Sequence, residues 1–290
     1  MLMTKVKNTI GELLIKGFNI LREENIPSYR LDCQLLLGKV INKDKLFIML
    51  NRDLEISLKE VEEYFKLVNL RKNKMPVKYI LGQCEFMNLD FLIKEGVLIP
   101  RPDTEILVEK VIEEVTKNKY ETLCDLCCGS GIIGISLAKY KENTLVDCYD
   151  IEDIPLEVTY KNILLHNLHE RVKVYRSDLL TYAINENKKY DVVVSNPPYI
   201  SEEDMKELME DVKNYEPHRA LHGGEDGLDF YRKIVFQSRD ILNSKGMIAF
   251  EIGYNQGKEV MSLLEEDGFE EIECIKDLAG LDRVVVGKKL

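Results

Sequence analysis

Asp125-Leu126-Cys127-Cys128-Gly129-Ser130-Gly131-Ile132-Ile133-Gly134 decides the fold of this chain. An apolar run, "ETLCDLC", leads into it, and an apolar helical stretch, "IIGISLAKY", leaves it. Strand, glycine turn and helix in that order are the opening of a parallel sheet whose turn carries a ligand. Gly129, Gly131 and Gly134 match GxGxxG letter for letter, and Asp150 follows Gly131 by 19 residues at the end of the next apolar run. A carboxylate at that place accepts hydrogen bonds from ribose hydroxyls, so a nicotinamide dinucleotide is one reading of the stretch.

Outward from this turn, strand-like runs alternate with helical ones. "TLVDCYD", "RVKVYRSD", "YDVVVSN", "GMIAFEIG", "EEIECIKD" and "DRVVVGKK" follow the first strand, with "PLEVTYKNILLHNL" between the second and third. The pattern predicts an α/β fold with a mostly parallel, doubly wound sheet, its closely spaced C-terminal strands antiparallel. Ligands of such sheets lie beyond the C-terminal strand ends. Asp125 through Gly131, Asp150, Asp178 and Asn196 fall at that edge.

Three strand ends carry acids, and their spacing tilts the ligand assignment. Asp125, aimed into the turn, suits a cationic amino group better than a pyrophosphate. Asp178 is placed to accept from an adenine amino group. Ammonium, ribose diol and adenine together describe S-adenosylmethionine.

The fourth strand ends in Ser195-Asn196-Pro197-Pro198-Tyr199-Ile200. Two prolines remove two backbone donors and fix φ near −65°, and each disfavours helix in the residue before it. A stiff corner results, with free carbonyls. The Asn196 amide oxygen and the Pro197 carbonyl are placed to accept the two N–H groups of an incoming NH2, and Tyr199 offers a flat face to a planar amide or base. An amide or aromatic amine is a poor nucleophile because its lone pair is delocalised, so alignment and charge-stabilising acceptors are what such a group needs.

Residues 1–75 read as a helical bundle. "TIGELLIKGFNILREENI" has helical spacing, "SYRLDCQLLLGKVI" opens on Ser28 as a cap, and "SLKEVEEYFKLVNL" begins with the capping box Ser57/Glu60. Residues 76–100, with the alternating "VKYILGQCEFMNLDFLI" and its Gly82 and Asn88, read as a hairpin joint. Residues 101–290 form the catalytic domain, opened by "IPRPDTE" with Asp103 or Thr104 at a helix start.

The net charge of −11 argues against a surface built to hold nucleic acid. Its distribution is uneven. Residues 1–80 carry 15 basic and 10 acidic side chains, an excess of +5, which leaves −16 on the remainder. Cys124, Cys127 and Cys128 form CxxCC, but no second pair supplies four zinc ligands, so no metal is expected. No apolar run reaches the roughly 18 residues needed to span a bilayer, and "MLMTKVKNTIGELL" lacks the core of a secretion signal. A cytoplasmic protein is expected.

"PVKYILGQCEFMNLDFLI", "LIPRPDTEILVE", "DLCCGSGIIGISLA", "VSNPPYI", "YEPHRALHGGEDGLDFYRKI", "EIGYNQGKEV" and "LAGLDRVVV" together resemble the bacterial peptide chain release factor glutamine methyltransferases, over nearly the whole chain. NPPY alone is shared with methylases of adenine, cytosine and ribosomal guanine. The helical N-terminal part with "IPRPDTE" and "YEPHRALHGGEDG" is more specific. The resemblance implies a small helical bundle followed by a seven-stranded Rossmann-like methyltransferase domain. It implies transfer of a methyl group from S-adenosylmethionine to the glutamine amide of the Gly-Gly-Gln motif in class I release factors, and S-adenosylhomocysteine as product. It further implies that Cys127, Cys128, Gly129, Ser130 and Gly131 wrap the methionine part, Asp150 holds the ribose, and Asp178 and Leu179 flank the adenine. Asn196, Pro197, Pro198 and Tyr199 would hold the substrate glutamine. Arg101 would lie beside the mouth of the site or bond the domain joint, while Glu85 and Phe86 would shape the glutamine pocket or pin the hairpin. Where the family often has glycine and a small hydroxyl residue, this chain has Cys127 and Cys128. The helical part would dock the release factor, with Arg71, Lys72 and Lys74 as contributing cations, and "SEEDMKELMEDVKNYEPHRALHGGEDG" would form a lid. A monomer acting in translation termination is expected. A ribosomal-protein glutamine methyltransferase, a nucleic-acid amino-group methyltransferase, a nucleotide-sensing module and an NAD oxidoreductase are the alternatives.

Overall fold

A computed structural model describes residues 8–290, so the first half of "MLMTKVKNTIGELL" lies outside the described residues. The chain divides into two compact units. One runs through Gln83 and includes Glu210–Tyr215; the other comprises Cys84–Met209 and Glu216–Leu290.

The first unit is helical: α1 (Ile10–Glu23), α2 (Tyr29–Ile41), α3 (Lys45–Leu50), α4 (Leu58–Lys72) and α5 (Val77–Leu81). The start signals work unevenly. Ser57 and Glu60 form the expected capping box on α4. Ser28 precedes α2 without capping it, because its hydroxyl donates to the Asp32 carboxylate instead, at 2.7 Å. Val77–Leu81 is a helix where alternation suggested a strand; Pro76 precedes it and Gly82, at φ 74°, ends it in the left-handed conformation. Five residues are too few for periodicity to decide, and Pro and Gly at the ends are the stronger signal.

Ile10, Leu13, Leu21, Leu36, Leu37, Ile48, Tyr64 and Val68 form the core of this unit. Inside it Arg71 donates from Nε to Asp32 Oδ2 at 2.7 Å and from Nη1 to the carbonyls of Lys74 and Met75. Both charged side chains are buried. Arg71 is therefore part of the interior rather than a docking cation. Its replacement, Arg71→Glu, is expected to destabilise this unit by about 3–5 kcal/mol, since it leaves Asp32 buried beside a second negative charge. A lowered denaturant midpoint in chemical unfolding of the full chain checks this. Lys74 also spends its ammonium internally, on the Glu24 carbonyl at 2.6 Å.

The hairpin of β1 (Gln83–Phe86) and β2 (Leu89–Leu92) turns on Met87 and Asn88, both at positive φ of 50° and 53°. Two left-handed residues in a two-residue loop match the twist of the strands. Phe86 is buried and packs edge-on against Phe91, with centroids 6.3 Å apart.

The second unit continues with α6 (Thr104–Asn118), β3 (Thr122–Leu126), α7 (Ile132–Tyr140), β4 (Leu145–Asp150), α8 (Asp153–Leu165), β5 (Val172–Arg176), α9 (Thr181–Asn185) and β6 (Tyr190–Ser195). After α10 (Glu210–Tyr215) come α11 (Asp229–Ser238), β7 (Leu242–Glu251), α12 (Gly257–Glu266), β8 (Phe269–Lys276) and β9 (Asp282–Lys289). The sheet order is β5-β4-β3-β6-β7-β9-β8. Pairing is parallel from β5 through β7, and β9 runs antiparallel to both β7 and β8. The seven strands are the seven apolar runs of the sequence, and the two turn-linked ones at the end are the antiparallel pair.

Successive crossovers from β3 lead to β4 and β5 on one side, while β6 and β7 lie on the other. The order therefore reverses between β3 and β6, where a crevice opens at the C-terminal strand ends. Register aligns those ends: Leu126 faces Tyr149 on one neighbour and Ser195 on the other, and Ser195 faces Phe250. The residues following these positions converge on one edge.

Candidate active site

A cavity of about 280 Å³ opens at that edge. Of the residues singled out from the sequence, Cys127, Gly129, Asp150, Asp178, Leu179, Asn196 and Pro198 line it. Four separate strand ends supply them, which is what the sheet order requires.

The glycine turn is shaped by backbone conformation. Cys127, Gly129 and Gly131 all have positive φ, at 55°, 58° and 77°. Gly131 stands at the start of α7, and a Cβ there would lie 2.8 Å from Thr159 Cγ2. Cys127 holds a left-handed conformation, at φ 55°, that costs a non-glycine residue roughly 1–2 kcal/mol. Burial pushes its thiol pKa far above the ordinary value, so it is a neutral wall of the cavity. Among the described residues no group of three or more His, Cys, Asp or Glu side chains is arranged to hold a metal ion.

Asp150 is held by two backbone donors. Its Oδ2 accepts from Gly129 N–H at 3.0 Å and its Oδ1 from Glu152 N–H at 3.1 Å. Burial raises its pKa, opposed by these N–H groups. Each oxygen keeps a lone pair for a ligand. Asp178 is exposed at the rim, and Leu179, at φ 50°, is buried beside it.

Other expected residues lie elsewhere. Asp125 does not line the cavity; it is fully buried below the turn, and its Oδ2 accepts from Gly134 N–H at 2.9 Å while Oδ1 has no partner. Burial, with the Asp150 charge adding to it, pushes its pKa up to about 7. It supports the start of α7 from inside instead of meeting a ligand directly. Cys128, Ser130 and Gly131 build the floor: Cys128 N–H bonds the Tyr149 carbonyl, Ser130 O accepts from Asn162 Nδ2, and Gly131 N–H bonds Cys128 O. Pro197 is buried and is not among the residues that line the cavity.

Tyr199 lines a second cavity, of about 630 Å³, with Ser201, Asp204, Glu207 and Tyr254. Asn196 and Pro198 thus face one cavity and Tyr199 the other. Glu85 is exposed on β1 and Phe86 packs within the hairpin; neither lines either of these two cavities. Arg101 pairs with Glu216 at 2.5 Å, and Glu216 also accepts from Ile99 N–H. Glu216 is buried. Arg101→Ala is expected to cost about 1–3 kcal/mol of stability by leaving that carboxylate under-bonded, readable as a lower denaturant midpoint.

The corner itself is braced by the segment expected to form a lid. Ile200 N–H bonds Leu221 O and Gly223 N–H bonds Ile200 O, both at 2.9 Å. A Cβ on Gly223 would lie 2.7 Å from the Pro198 carbonyl oxygen, so only glycine fits there. Pro217, Arg219 and Ala220 from the same segment line the first cavity, and Arg219 forms an ion pair with Glu152 across from it. Phe230 and Ile151 add apolar wall that sequence reasoning missed.

Two further residues were missed. Thr104 and Glu251 are both buried, and both approach Asn196. Asn196 Nδ2 donates to Thr104 Oγ1 at 3.4 Å, and the Glu251 carboxyl group lies near enough to both side chains for each to lower its pKa. The available signal was a glutamate closing the apolar strand "MIAFE" at the sheet edge where ligands bind.

A doubly wound sheet, a glycine turn after its first strand, a carboxylate after its second and Asn-Pro-Pro-Tyr after its fourth define an S-adenosylmethionine-dependent methyltransferase. Residues 102–215 match the family model described as Methyltransferase small domain, and residues 12–82 match PrmC N-terminal domain. A release factor glutamine methyltransferase of Clostridium botulinum is 58% identical over 97% of this chain and 99% of its own length. That of Clostridium acetobutylicum is 50% identical over 96% and 97%. Among solved structures, a methyltransferase from Pyrococcus furiosus superposes with a TM-score of 0.52 at 16% identity, covering 70% of this chain and 90% of that one; this likeness concerns the fold. The chain belongs to the release factor glutamine methyltransferase family.

Proposed function

We propose that this protein methylates the side-chain amide nitrogen of the glutamine in the Gly-Gly-Gln motif of class I release factors. The observation that carries this is Asn196, on the cavity wall at the end of β6, fixed between two prolines and two buried polar side chains. An amide NH2 held by the Asn196 oxygen and the Pro197 carbonyl would present its nitrogen lone pair to the cavity.

The residues present fit S-adenosylmethionine. Asp150 has acceptor capacity left for a ribose diol, and Leu179, Ile151, Pro155 and Phe230 offer an apolar enclosure for a base. When bound, the cofactor supplies a methyl group on a sulfonium, which departs as a neutral thioether as the N–C bond forms. The chain's own part is orientation and electrostatics: acceptors that stabilise the growing positive charge on nitrogen contribute on the order of 3–4 kcal/mol each. The N-methylated amide then loses its extra proton to water, so no strong base is required.

Docking of the release factor falls to the helical unit in this reading. With Arg71 and Lys74 engaged internally, Lys72 stays exposed among the expected cations, beside others such as Arg30, Lys43 and Lys59, for an acidic partner. The acidic charge of residues 81–290 supports a site without direct nucleic-acid contact, and we propose a monomer acting in the cytoplasm. Among the described residues no helix is long and apolar enough to cross a membrane.

Peptide mass spectrometry of a purified class I release factor, incubated with this protein and S-adenosylmethionine, tests the assignment. One methyl on the Gly-Gly-Gln glutamine is expected. An unmodified glutamine despite cofactor binding would remove the substrate assignment and leave the fold and donor standing.

A further inference from the structure

We propose that Glu251 and Thr104 are positioning residues that set which way the Asn196 amide faces and strengthen its oxygen as an acceptor. The proposal rests on the substrate assignment above and names the groups behind its clamp.

A side-chain amide has two edges of nearly equal shape, one donating and one accepting. At the end of β6 only one orientation serves the reaction, because an incoming NH2 needs the oxygen. Asn196 donates from Nδ2 to the Thr104 hydroxyl at 3.4 Å, and the Glu251 carboxyl lies close to both side chains. Both are acceptors toward it: the carboxylate has no proton to give, and the Thr104 oxygen already receives the Asn196 N–H. Turning the amide over would set its oxygen against two oxygens in a buried place, which costs more than a missing hydrogen bond. The NH2 edge is thereby committed to the interior, and Oδ1 is left on the cavity side.

Charge adds to orientation. A carboxylate beside the Asn196 NH2 polarises the amide, and electron density moves to Oδ1, where the substrate N–H is received. Three structural facts say that Glu251 is held for this rather than for an ion pair. It is only 2% exposed. Its Oε2 has no hydrogen-bond partner. The nearby cation, Arg283, already bonds Asp277 at 3.0 Å and Asp103 at 3.3 Å. A buried carboxyl so poorly matched destabilises the fold relative to a neutral residue.

The facing groups determine when Glu251 is charged. Burial raises its pKa to about 7, Thr104, Arg283 and Asn196 work in the opposite direction, and Asp103 adds to the rise. Tyr199 and Tyr231 also face it, from the corner and from α11, and both phenols are raised by burial and stay neutral. Tyr231 Oη donates to the Glu251 backbone carbonyl at 2.9 Å. The carboxylate form is present above about pH 7 and is lost below it. Methyl transfer should therefore rise through a one-proton limb near that pH.

The test uses the full chain, a whole class I release factor and S-adenosylmethionine, under single-turnover conditions from pH 5.5 to 9. Glu251→Gln is expected to lower the rate about 10- to 100-fold, the range for outer partners of a reactive group. Cofactor affinity should stay within about twofold, and the limb near pH 7 should vanish. Thr104→Val should lower the rate with the limb kept, and Thr104→Ser should restore it. If Glu251→Gln does not fold, the Thr104 pair decides alone. Folded variants with the wild-type rate, or a slowed Glu251→Gln that keeps the limb, would overturn the proposal while methylation by the wild type left the substrate assignment intact. A wild type that does not methylate the glutamine would remove both.

Discussion

Asn196→Ala is expected to reduce methyl transfer by about 10²–10³-fold, the loss that follows removal of one preorganised charge-stabilising group, with cofactor affinity changed only a few-fold. The asymmetry comes from where Asn196 sits. Its amide reaches the cavity from the end of β6, and its support comes from Thr104 on α6 and Glu251 on β7. In the proposed reading, ribose and adenine contacts fall to Asp150, Asp178 and Leu179, which line the cavity from other strand ends. Alanine removes the acceptor and also strips Thr104 of a donor. Asn196→Asp is the sharper comparison. It restores an oxygen at the cavity but sets a second carboxyl against Glu251, so it should recover little activity at neutral pH. Single-turnover rates with saturating cofactor, beside calorimetric cofactor affinities, separate the two effects. A variant with intact affinity and an unchanged rate would mean that Pro197 and the cofactor pocket suffice to align the amide.

The central strands β3, β6 and β7 were legible in this sequence because each carries an apolar run buried on both faces, which leaves little else for such a run to be. Asp150 and Asn196 were legible for a related reason: a polar side chain at the C-terminal end of a buried strand lies at the ligand edge by topology. Asp125 obeyed the same rule and still missed the cavity, because the left-handed Cys127 and the glycines carry the chain over it and Gly134 N–H claims its carboxylate. Sequence places a residue on an edge but not at a depth. Arg71 shows the limit from the other side. In a run of Arg71, Lys72 and Lys74 nothing marks which cation goes inward, and the partner that decides, Asp32, lies 39 positions away. Thr104 and Glu251 were hidden in the same way. They meet Asn196 only when α6, β6 and β7 are packed, and each alone looks like a helix start or a strand end.

The cofactor side of the site gives the second large effect, and it depends on a different carboxylate. Asp150→Ala should weaken S-adenosylmethionine binding by about 10²–10⁴-fold, as expected when two charge-assisted hydrogen bonds of roughly 1.5–3 kcal/mol each are lost. Part of that loss is direct, through the ribose hydroxyls. The rest passes through the turn, because Oδ2 holds Gly129 N–H and Oδ1 holds Glu152 N–H. Asp150→Asn separates the shares. One amide oxygen still accepts, but the NH2 cannot accept from a backbone N–H, so one of the two donors is orphaned and an intermediate loss follows. The pH dependence has a definite sign. Burial holds the Asp150 pKa above the ordinary aspartate value, so the ionised, hydroxyl-accepting form is lost at a higher pH than for an exposed aspartate. Affinity should fall as pH drops through that range in the wild type and stay flat in Asp150→Asn. Equilibrium dialysis with labelled cofactor reads both slopes, and equal slopes would assign the titration to another group, of which Asp125, buried under the same turn, is the nearest candidate.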